Sequence, residues 1–127
     1  MQNSANSRQQ HFLADRLAKE IGRADLETRF REDACVTIVL ATEGYPAAPR
    51  TGDFIEGIDA AEELPGVNVF HAGTKQVDAR VMTAGGRVLD VTAVAPTLAE
   101  ARDRAYEAAG RISWPGMQYR RDIGPRP

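Results

Sequence analysis

The side chains with the clearest chemical potential in this sequence lie around a glycine that follows an apolar segment. Residues 69–75 read Val-Phe-His-Ala-Gly-Thr-Lys, so His71, Thr74 and Lys75 bring an imidazole, a hydroxyl and an ammonium group to one turn. Such a cluster could face a polar or anionic ligand. The alternative is a turn that ends a strand, with His71 hydrogen-bonded to the backbone. Because no Ser or Cys nucleophile stands near His71, the residues alone favour that alternative.

Two further segments could hold an anion. Residues 85–87 read Gly-Gly-Arg, and glycines let backbone N–H groups approach a phosphate. The segment lacks the phosphate-loop pattern and opens no helix, so a hairpin turn with Arg87 facing solvent is favoured. Arg120, Arg121 and Asp122 place two guanidinium groups beside a carboxylate, which suits bidentate binding of a phosphate or carboxylate. An ion pair that anchors the C-terminal segment explains the same residues.

No group of residues forms a complete active site. Asp53 and Glu56 are three positions apart, which places them on opposite faces of a regular strand and argues against an acid–base pair. One cysteine and two histidines give no metal-ligand spacing. We therefore expect no catalytic residue, no metal ligand and no cofactor bound by this chain alone.

Length and composition indicate one soluble globular domain. The chain has 127 residues and a net charge of −2, with 43% hydrophobic and 27% charged residues. These values point to neither nucleic acid nor a membrane as a partner. No apolar stretch approaches the ~20 residues that span a bilayer. Cys35 opens an apolar segment, which predicts a reduced, buried thiol and a cytoplasmic setting.

Apolar segments bounded by turn residues predict an α+β fold with a curved, mainly antiparallel β-sheet of five or six strands. Residues 35–41 are rich in β-branched types and predict a central strand. Gly85 and Gly86 accept the positive φ of a type I′ turn, so strands on either side of them should pair as a hairpin. The other predicted strands are 52–58, 67–72, 76–83 and 87–94, with a loop at 42–50, a polar connection at 59–66 and an edge strand at 117–119.

Helices are predicted before and after the strands. Apolar residues recur every four positions in 10–21, which predicts an N-terminal helix whose narrow stripe suits docking onto a larger body. A short helix or turn follows within 25–33, and residues 1–9 are expected to be a disordered tail. Thr97 and Glu100 form a capping box that starts a C-terminal helix, with an alanine-rich face that packs on the sheet. Residues 34–124 are thus predicted as one domain, and 125–127 as a tail.

Five segments, in this order and at these intervals, resemble one protein family. They are Gly-Tyr-Pro at 44–46, Gly-Asp-Phe-Ile at 52–55, Phe-His-Ala-Gly-Thr at 70–74, Gly-Gly-Arg-Val-Leu at 85–89 and Arg-Arg-Asp-Ile-Gly at 120–124. The family is the phosphoribosylamine–glycine ligases (GAR synthetases) of the ATP-grasp type, and the similarity is to their C-terminal domain. The resemblance implies a small β-rich unit, similar to the barrel-sandwich-hybrid-like C-terminal domains of other ATP-grasp ligases. It also implies that helix 10–21 corresponds to the end of the ATP-grasp domain.

The resemblance implies a role in purine biosynthesis. Ligases of this family join glycine to phosphoribosylamine with ATP and Mg²⁺, through an acyl-phosphate of glycine, on domains for which this chain has no room. The chain would be the C-terminal domain or a separate subunit that completes the ligase with an ATP-grasp partner and is inactive alone. The alternative is a free-standing, non-catalytic domain that binds a protein or a small ligand. The expected partners are the other ligase domains or a second copy of the chain.

The resemblance also singles out candidate binding residues. Lys75 and the arginines would hold the ribose phosphate or an ATP phosphate, while His71 and Thr74 would orient neighbouring polar groups. The first loop departs from the family pattern, because Glu43 and Ala47 stand where the family usually has glycine. The candidates for substrate or phosphate binding are His71, Thr74, Lys75, Arg87, Arg120, Arg121 and Asp122.

Overall fold

The computed structural model describes residues 29–124. Contacts between residues divide the chain into two units that meet at Glu32 and Asp33, and the second unit is the one described below. Residues 29–32 carry no regular secondary structure. The predicted tails at 1–9 and 125–127 and the predicted helix at 10–21 lie outside the described residues.

Five strands of the second unit form two antiparallel sheets. The first sheet has three strands in the order β1-β5-β2, and the second is a hairpin of β3 and β4. The predicted α+β fold with mainly antiparallel strands is confirmed, whereas a single curved, barrel-like sheet is not. The strands are β1 (Ala34–Ala41), β2 (Val67–His71), β3 (Thr74–Val77), β4 (Arg80–Thr83) and β5 (Arg87–Ala95).

The central strand of the larger sheet is β5, which pairs with β1 on one side and β2 on the other. The prediction that 35–41 is central is therefore wrong. In β1, Val36, Ile38 and Leu40 are buried while the residues between them are exposed, as expected for a sheet with one covered face. Cys35 belongs to the exposed set, so the predicted buried thiol is also wrong. Apolar residues on both faces of β1 concealed the alternation.

The hairpin predicted across Gly85 and Gly86 does not form. The chain instead reverses at Asp78, whose φ is 55°, and β3 pairs with β4 so that Val77 lies opposite Arg80. Aspartate tolerates this left-handed conformation better than most residues. β4 has four residues and β5 has nine, so a hairpin between them would have left about half of β5 without backbone hydrogen-bond partners on that side. Pairing of β5 with β1 and β2 avoids this loss of hydrogen bonds.

The predicted strand at 52–58 is also wrong. It is reduced to two isolated bridges, which join Phe54 to Met82 and Glu56 to Ser113. A short helix, α1 (Ile58–Glu62), then replaces the first part of the predicted polar connection. The predicted edge strand at 117–119 is present as a single antiparallel bridge between Gln118 and Ala41.

Helix α2 (Leu98–Arg111) covers one face of the three-stranded sheet. Its start is as predicted, because the Thr97 hydroxyl accepts a hydrogen bond from the Glu100 N–H at 3.2 Å. Small side chains let the helix lie close to the sheet. The buried helix residues are Ala101, Ala105, Ala108 and Ala109, and the largest fully buried side chains beside them include Ile38, Leu40, Leu89, Val91 and Ile112.

Substitution of Gly57 is expected to destabilise the fold strongly. Gly57 immediately precedes α1, and its backbone packs against Arg111 at the end of α2. Its φ is 90°, and a Cβ there would clash with the carbonyl of Arg111, whereas Gly52, with a φ of 95°, has open space beside it. Gly52→Ala should cost about 1–2 kcal/mol for the left-handed backbone alone. Gly57→Ala should cost about 1–3 kcal/mol more, because backbone must move. Urea unfolding of both variants measures the difference, and equal losses would show that the contact with Arg111 is unimportant.

Candidate functional site

The topology brings three of the chemically interesting segments to one end of the three-stranded sheet. Because β1 and β2 both run antiparallel to β5, they end where β5 begins. The loop 42–50 follows β1, residues 72–73 follow β2, and residues 84–86 precede β5. The Gly-Tyr-Pro, Ala-Gly-Thr and Gly-Gly-Arg motifs are therefore neighbours in space although they lie far apart in the sequence.

Gly73, Gly85 and Gly86 form the contact between these segments, which we call the glycine junction. The Gly73 N–H donates to the Arg87 carbonyl at 2.9 Å, and the Gly73 carbonyl accepts from the Ala84 N–H at 2.8 Å. A Cβ on Gly73 would lie 2.6 Å from the Arg87 carbonyl oxygen and 2.8 Å from the Cα of Gly85. Only glycine permits backbones to approach this closely.

Tyr45 covers the glycine junction. Its ring packs on Gly86 so tightly that a Cβ there would clash with it. The Gly86 carbonyl also accepts a hydrogen bond from the Thr42 N–H at 2.9 Å, which holds the base of the loop. Gly44 has a φ of 83°, and its carbonyl accepts from the Ala48 N–H at 2.8 Å. The Gly-Tyr-Pro motif thus fixes the position of an aromatic ring.

Arg50 fastens the loop that carries Tyr45. Its guanidinium lies 2.9 Å from the Asp53 carboxylate and 3.5 Å from that of Glu43. Its N–H donates to the Glu43 carbonyl at 2.8 Å, and its carbonyl accepts from the Thr42 hydroxyl at 2.6 Å. Glu43, which departs from the family pattern, therefore contacts Arg50 through both its carbonyl and its carboxylate. Sequence analysis missed Arg50, although its spacing of three from Asp53 was a usable signal.

A shallow open depression of about 540 Å³ lies beside the glycine junction. Arg87 is exposed and lines the depression together with Tyr45. Asp90 adds a carboxylate and was not recognised in the sequence. The depression can therefore contact polar groups of a ligand through Arg87 and Asp90, and apolar groups through Val39 and Tyr45. The lining residues are Val39, Tyr45, Ala72, Gly86, Arg87 and Asp90.

His71 and Thr74 bind each other where β2 ends and β3 begins. The distance between His71 Nδ1 and Thr74 Oγ1 is 2.9 Å, so the expected backbone contact of His71 is replaced by a contact between side chains. Lys75 is exposed on β3, opposite Met82 in the hairpin. Thr74 and Lys75 follow Gly73 directly along the chain, whereas His71 lines a separate depression of about 360 Å³ with residues such as Ile58 and Arg80. The role of all three candidates toward a ligand stays a prediction.

Arg120 and Asp122 form a bidentate ion pair with each other. Arg120 Nε lies 2.9 Å from one carboxylate oxygen of Asp122, and Nη2 lies 2.6 Å from the other. This hydrogen bonding lowers the pKa of Asp122 and raises the pKa of Arg120. Arg121 stacks on the Tyr119 ring at 4.2 Å from its centroid. The geometry matches the interpretation of these residues as a structural pair better than that of an anion site.

The C-terminal segment runs along α2, away from the glycine junction. The Tyr106 hydroxyl donates to the Arg120 carbonyl and accepts from the Ile123 N–H, each at 2.9 Å. At Gly124 the segment has reached Val36, near the start of β1, since a Cβ on Gly124 would lie 3.6 Å from the Val36 side chain. Arg120, Arg121 and Asp122 therefore lie on a segment that leaves Ala41 at Gln118 and leads toward the other end of β1.

Two properties of residues 29–124 bear on ligands and location. Within this range, no group of three or more His, Cys, Asp or Glu side chains is placed to bind a metal ion. No helix in the same range is long and apolar enough to cross a membrane.

The Asp122 carboxyl should titrate below its ordinary value of 3.8, which carboxyl ¹³C chemical shifts measure directly. A lowered pKa means that the pair with Arg120 is present above the ordinary Asp range and is lost as the pH falls through the lowered value. Arg120→Ala should return the Asp122 midpoint to the ordinary range. Arg121→Ala is the control and should leave it low, and a normal midpoint in the unsubstituted chain would contradict the pairing.

Comparison with known proteins gives consistent matches. The family model described as "Phosphoribosylglycinamide synthetase, C domain" matches residues 35–126. The phosphoribosylamine–glycine ligase of Streptomyces coelicolor is 51% identical over 106 residues, which are 81% of this chain and 26% of the relative. That of Brucella melitensis is 44% identical over 106 residues, which are 83% of this chain and 25% of the relative.

A solved structure supports the same relationship. The crystal structure of phosphoribosylamine–glycine ligase from Thermotoga maritima superposes with a TM-score of 0.70 and 34% sequence identity. The match covers 87% of this chain and 27% of that chain. The chain therefore spans about a quarter of the length of the relatives that it matches.

Proposed function

This chain belongs to the phosphoribosylglycinamide synthetase C-domain family, and we propose that it acts as the C-terminal domain or subunit of a phosphoribosylamine–glycine ligase in purine biosynthesis. The observation that carries the proposal is the glycine junction. Three motifs on which the family resemblance rests meet there, and they present Tyr45 and Arg87 at one edge of the sheet. Thr74 and Lys75 directly follow Gly73 of the junction in the sequence, and the Thr74 hydroxyl is hydrogen-bonded to His71. A site of this kind, open on one side, suits a surface that another domain completes.

On this proposal the chain supplies binding groups to the ligase site. Phosphoribosylamine and ATP both carry phosphates, and a cation that is not already paired can form charge-assisted hydrogen bonds with them. Among residues 29–124, Lys75 and Arg87 form no ion pair with a carboxylate, whereas Arg120 is engaged by Asp122. Lys75 and Arg87 are therefore the preferred phosphate ligands, with His71 and Thr74 as orienting groups.

ATP and Mg²⁺ belong to the rest of the ligase on this proposal. Mg²⁺ in such sites is usually held by one or two carboxylates together with the phosphates of the substrate, and we assign those carboxylates to the other domains of the ligase. No step of the reaction is therefore assigned to a side chain of this domain, and the isolated chain should be inactive. A cytoplasmic setting, predicted from the sequence, forms part of the same proposal.

A chimeric ligase tests the proposal. In the Streptomyces coelicolor enzyme, the segment that this chain matches is replaced by residues 29–124. The chimera should release ADP only when glycine and phosphoribosylamine are both present, because the transplanted domain completes the site. The same enzyme with the segment deleted and the isolated 127-residue chain are the controls, and both should be inactive. A folded chimera without activity would contradict the proposal and favour a free-standing binding domain.

Substitutions within an active chimera test the assignment of phosphate ligands. A hydrogen bond to a charged group contributes about 1.5–3 kcal/mol, so Lys75→Ala and Arg87→Ala should each lower kcat/KM about tenfold to a hundredfold. Arg120→Ala is the matched control and should lower it less than about threefold, because its guanidinium is bound to Asp122. Thermal unfolding should be nearly unchanged in all three. Equal effects at Arg87 and Arg120 would overturn the assignment.

A further inference from the structure

One face of the three-stranded sheet is not covered by α2. Side chains on alternate positions of each strand point to this face, and the strand register aligns them in rows. Thr92 lies between Thr37 and Asn68, and Asp90 lies between Val39 and Phe70. We call this surface the outer face, defined by Cys35, Thr37, Val39, Asn68, Phe70, Asp90 and Thr92.

The outer face carries two of the four large apolar side chains that residues 33–124 expose, and a third borders it. Phe70 is 55% exposed and Val39 is 41% exposed, and they flank Asp90 on its two sides. Tyr45, at 39% exposure, borders the same surface through the depression that it shares with Val39 and Asp90. In residues 33–124, the remaining large apolar side chain of this kind is Leu98, at the start of α2. A concentration of exposed apolar groups on one face marks a contact surface.

We propose that the outer face is the surface on which this chain docks against the remaining domains of a phosphoribosylamine–glycine ligase. This inference rests on the proposed function and specifies its partner surface. Phe70 and Val39 are the apolar anchors, and Asp90 between them receives a cationic or N–H donor from the partner. Because the outer face is continuous with the depression that Arg87 lines, docking places Arg87 at the domain boundary.

The size of the outer face favours a tethered domain over a second copy of the chain. Three strands about 4.8 Å apart and about 26 Å long, as for the eight residues of β1, cover roughly 370 Å². A specific complex between separate proteins buries about 800 Å² on each partner. Contacts between domains of one polypeptide are stable with a smaller buried area, because the linker keeps the two domains at high effective concentration. The matched relatives are single chains about four times longer than the shared segment.

Thiol labelling tests the docking directly. Val39→Cys in a Cys35→Ser background places a reporter on the outer face, beside Asp90 of the central strand. Leu98→Cys in the same background places one at an apolar residue of similar exposure elsewhere. Each variant is made in the isolated 127-residue chain and in the chimeric ligase, and labelling is followed by peptide mass spectrometry. The reporter at position 39 should react at least tenfold more slowly in the chimera. The reporter at position 98 should react equally fast in both.

Activity provides a second readout. Phe70→Ala should lower the activity of the chimera at least fivefold without changing the unfolding temperature of the isolated chain, whereas Leu98→Ala should leave both unchanged. Equal labelling at position 39 in an active chimera would overturn the docking surface while the proposed function stands. Protection in a folded but inactive chimera would support the surface and reject the proposed function. Labelling at position 39 that slows as the isolated chain dimerises would identify a second copy as the occupant and overturn the proposal.

Discussion

The close backbone contact at the glycine junction is the constraint on which the rest of this domain depends. The chain leaves the larger sheet at the end of β2, forms the β3–β4 hairpin, and returns to the sheet as β5. Gly73 uses both its N–H and its carbonyl to join the two ends of this excursion. A side chain at Gly73 would force the ends apart, because it would meet the backbone of Gly85 and Arg87. Closing the excursion fixes where β5 begins and therefore its register with β1 and β2.

The same contact brings Tyr45 and Arg87, which we propose as binding groups, to one edge of the sheet. The loop that carries Tyr45 is held by the pair of Arg50 and Asp53, and the Tyr45 ring packs on Gly86, the residue before Arg87. Arg120 and Asp122 have equally attractive chemistry but satisfy each other beside Tyr106. Charge type alone therefore does not identify a site. Within residues 29–124, Arg120 is bound by the Asp122 carboxylate, whereas Arg87 forms no ion pair.

Sequence analysis recovered the features that depend on local interactions. The capping pair of Thr97 and Glu100 defined the start of α2, and apolar runs located β1, β2 and β5. The prediction failed at Gly85 and Gly86, because a glycine can serve either a tight turn or a close backbone contact. The pair is typical of a hairpin turn, but in the structure Gly85 approaches Gly73 and Gly86 approaches Tyr45. Strand pairing is a long-range property, so neither the central position of β5 nor the exposure of Cys35 followed from the residues nearby. The resemblance identified the motifs that meet at the junction, and only the topology showed that they meet.

Native-state hydrogen exchange of the isolated chain tests the central role of the glycine junction most directly. If the junction belongs to the cooperative core, the amides of Thr42, Gly73 and Ala84 should exchange only through global unfolding, with the same free energy of opening as amides at the centre of β5. That result is expected because each of the three donates a backbone hydrogen bond across the junction. Exchange at rates typical of surface loops, while β5 stays protected, would show that the junction opens independently and would contradict the account.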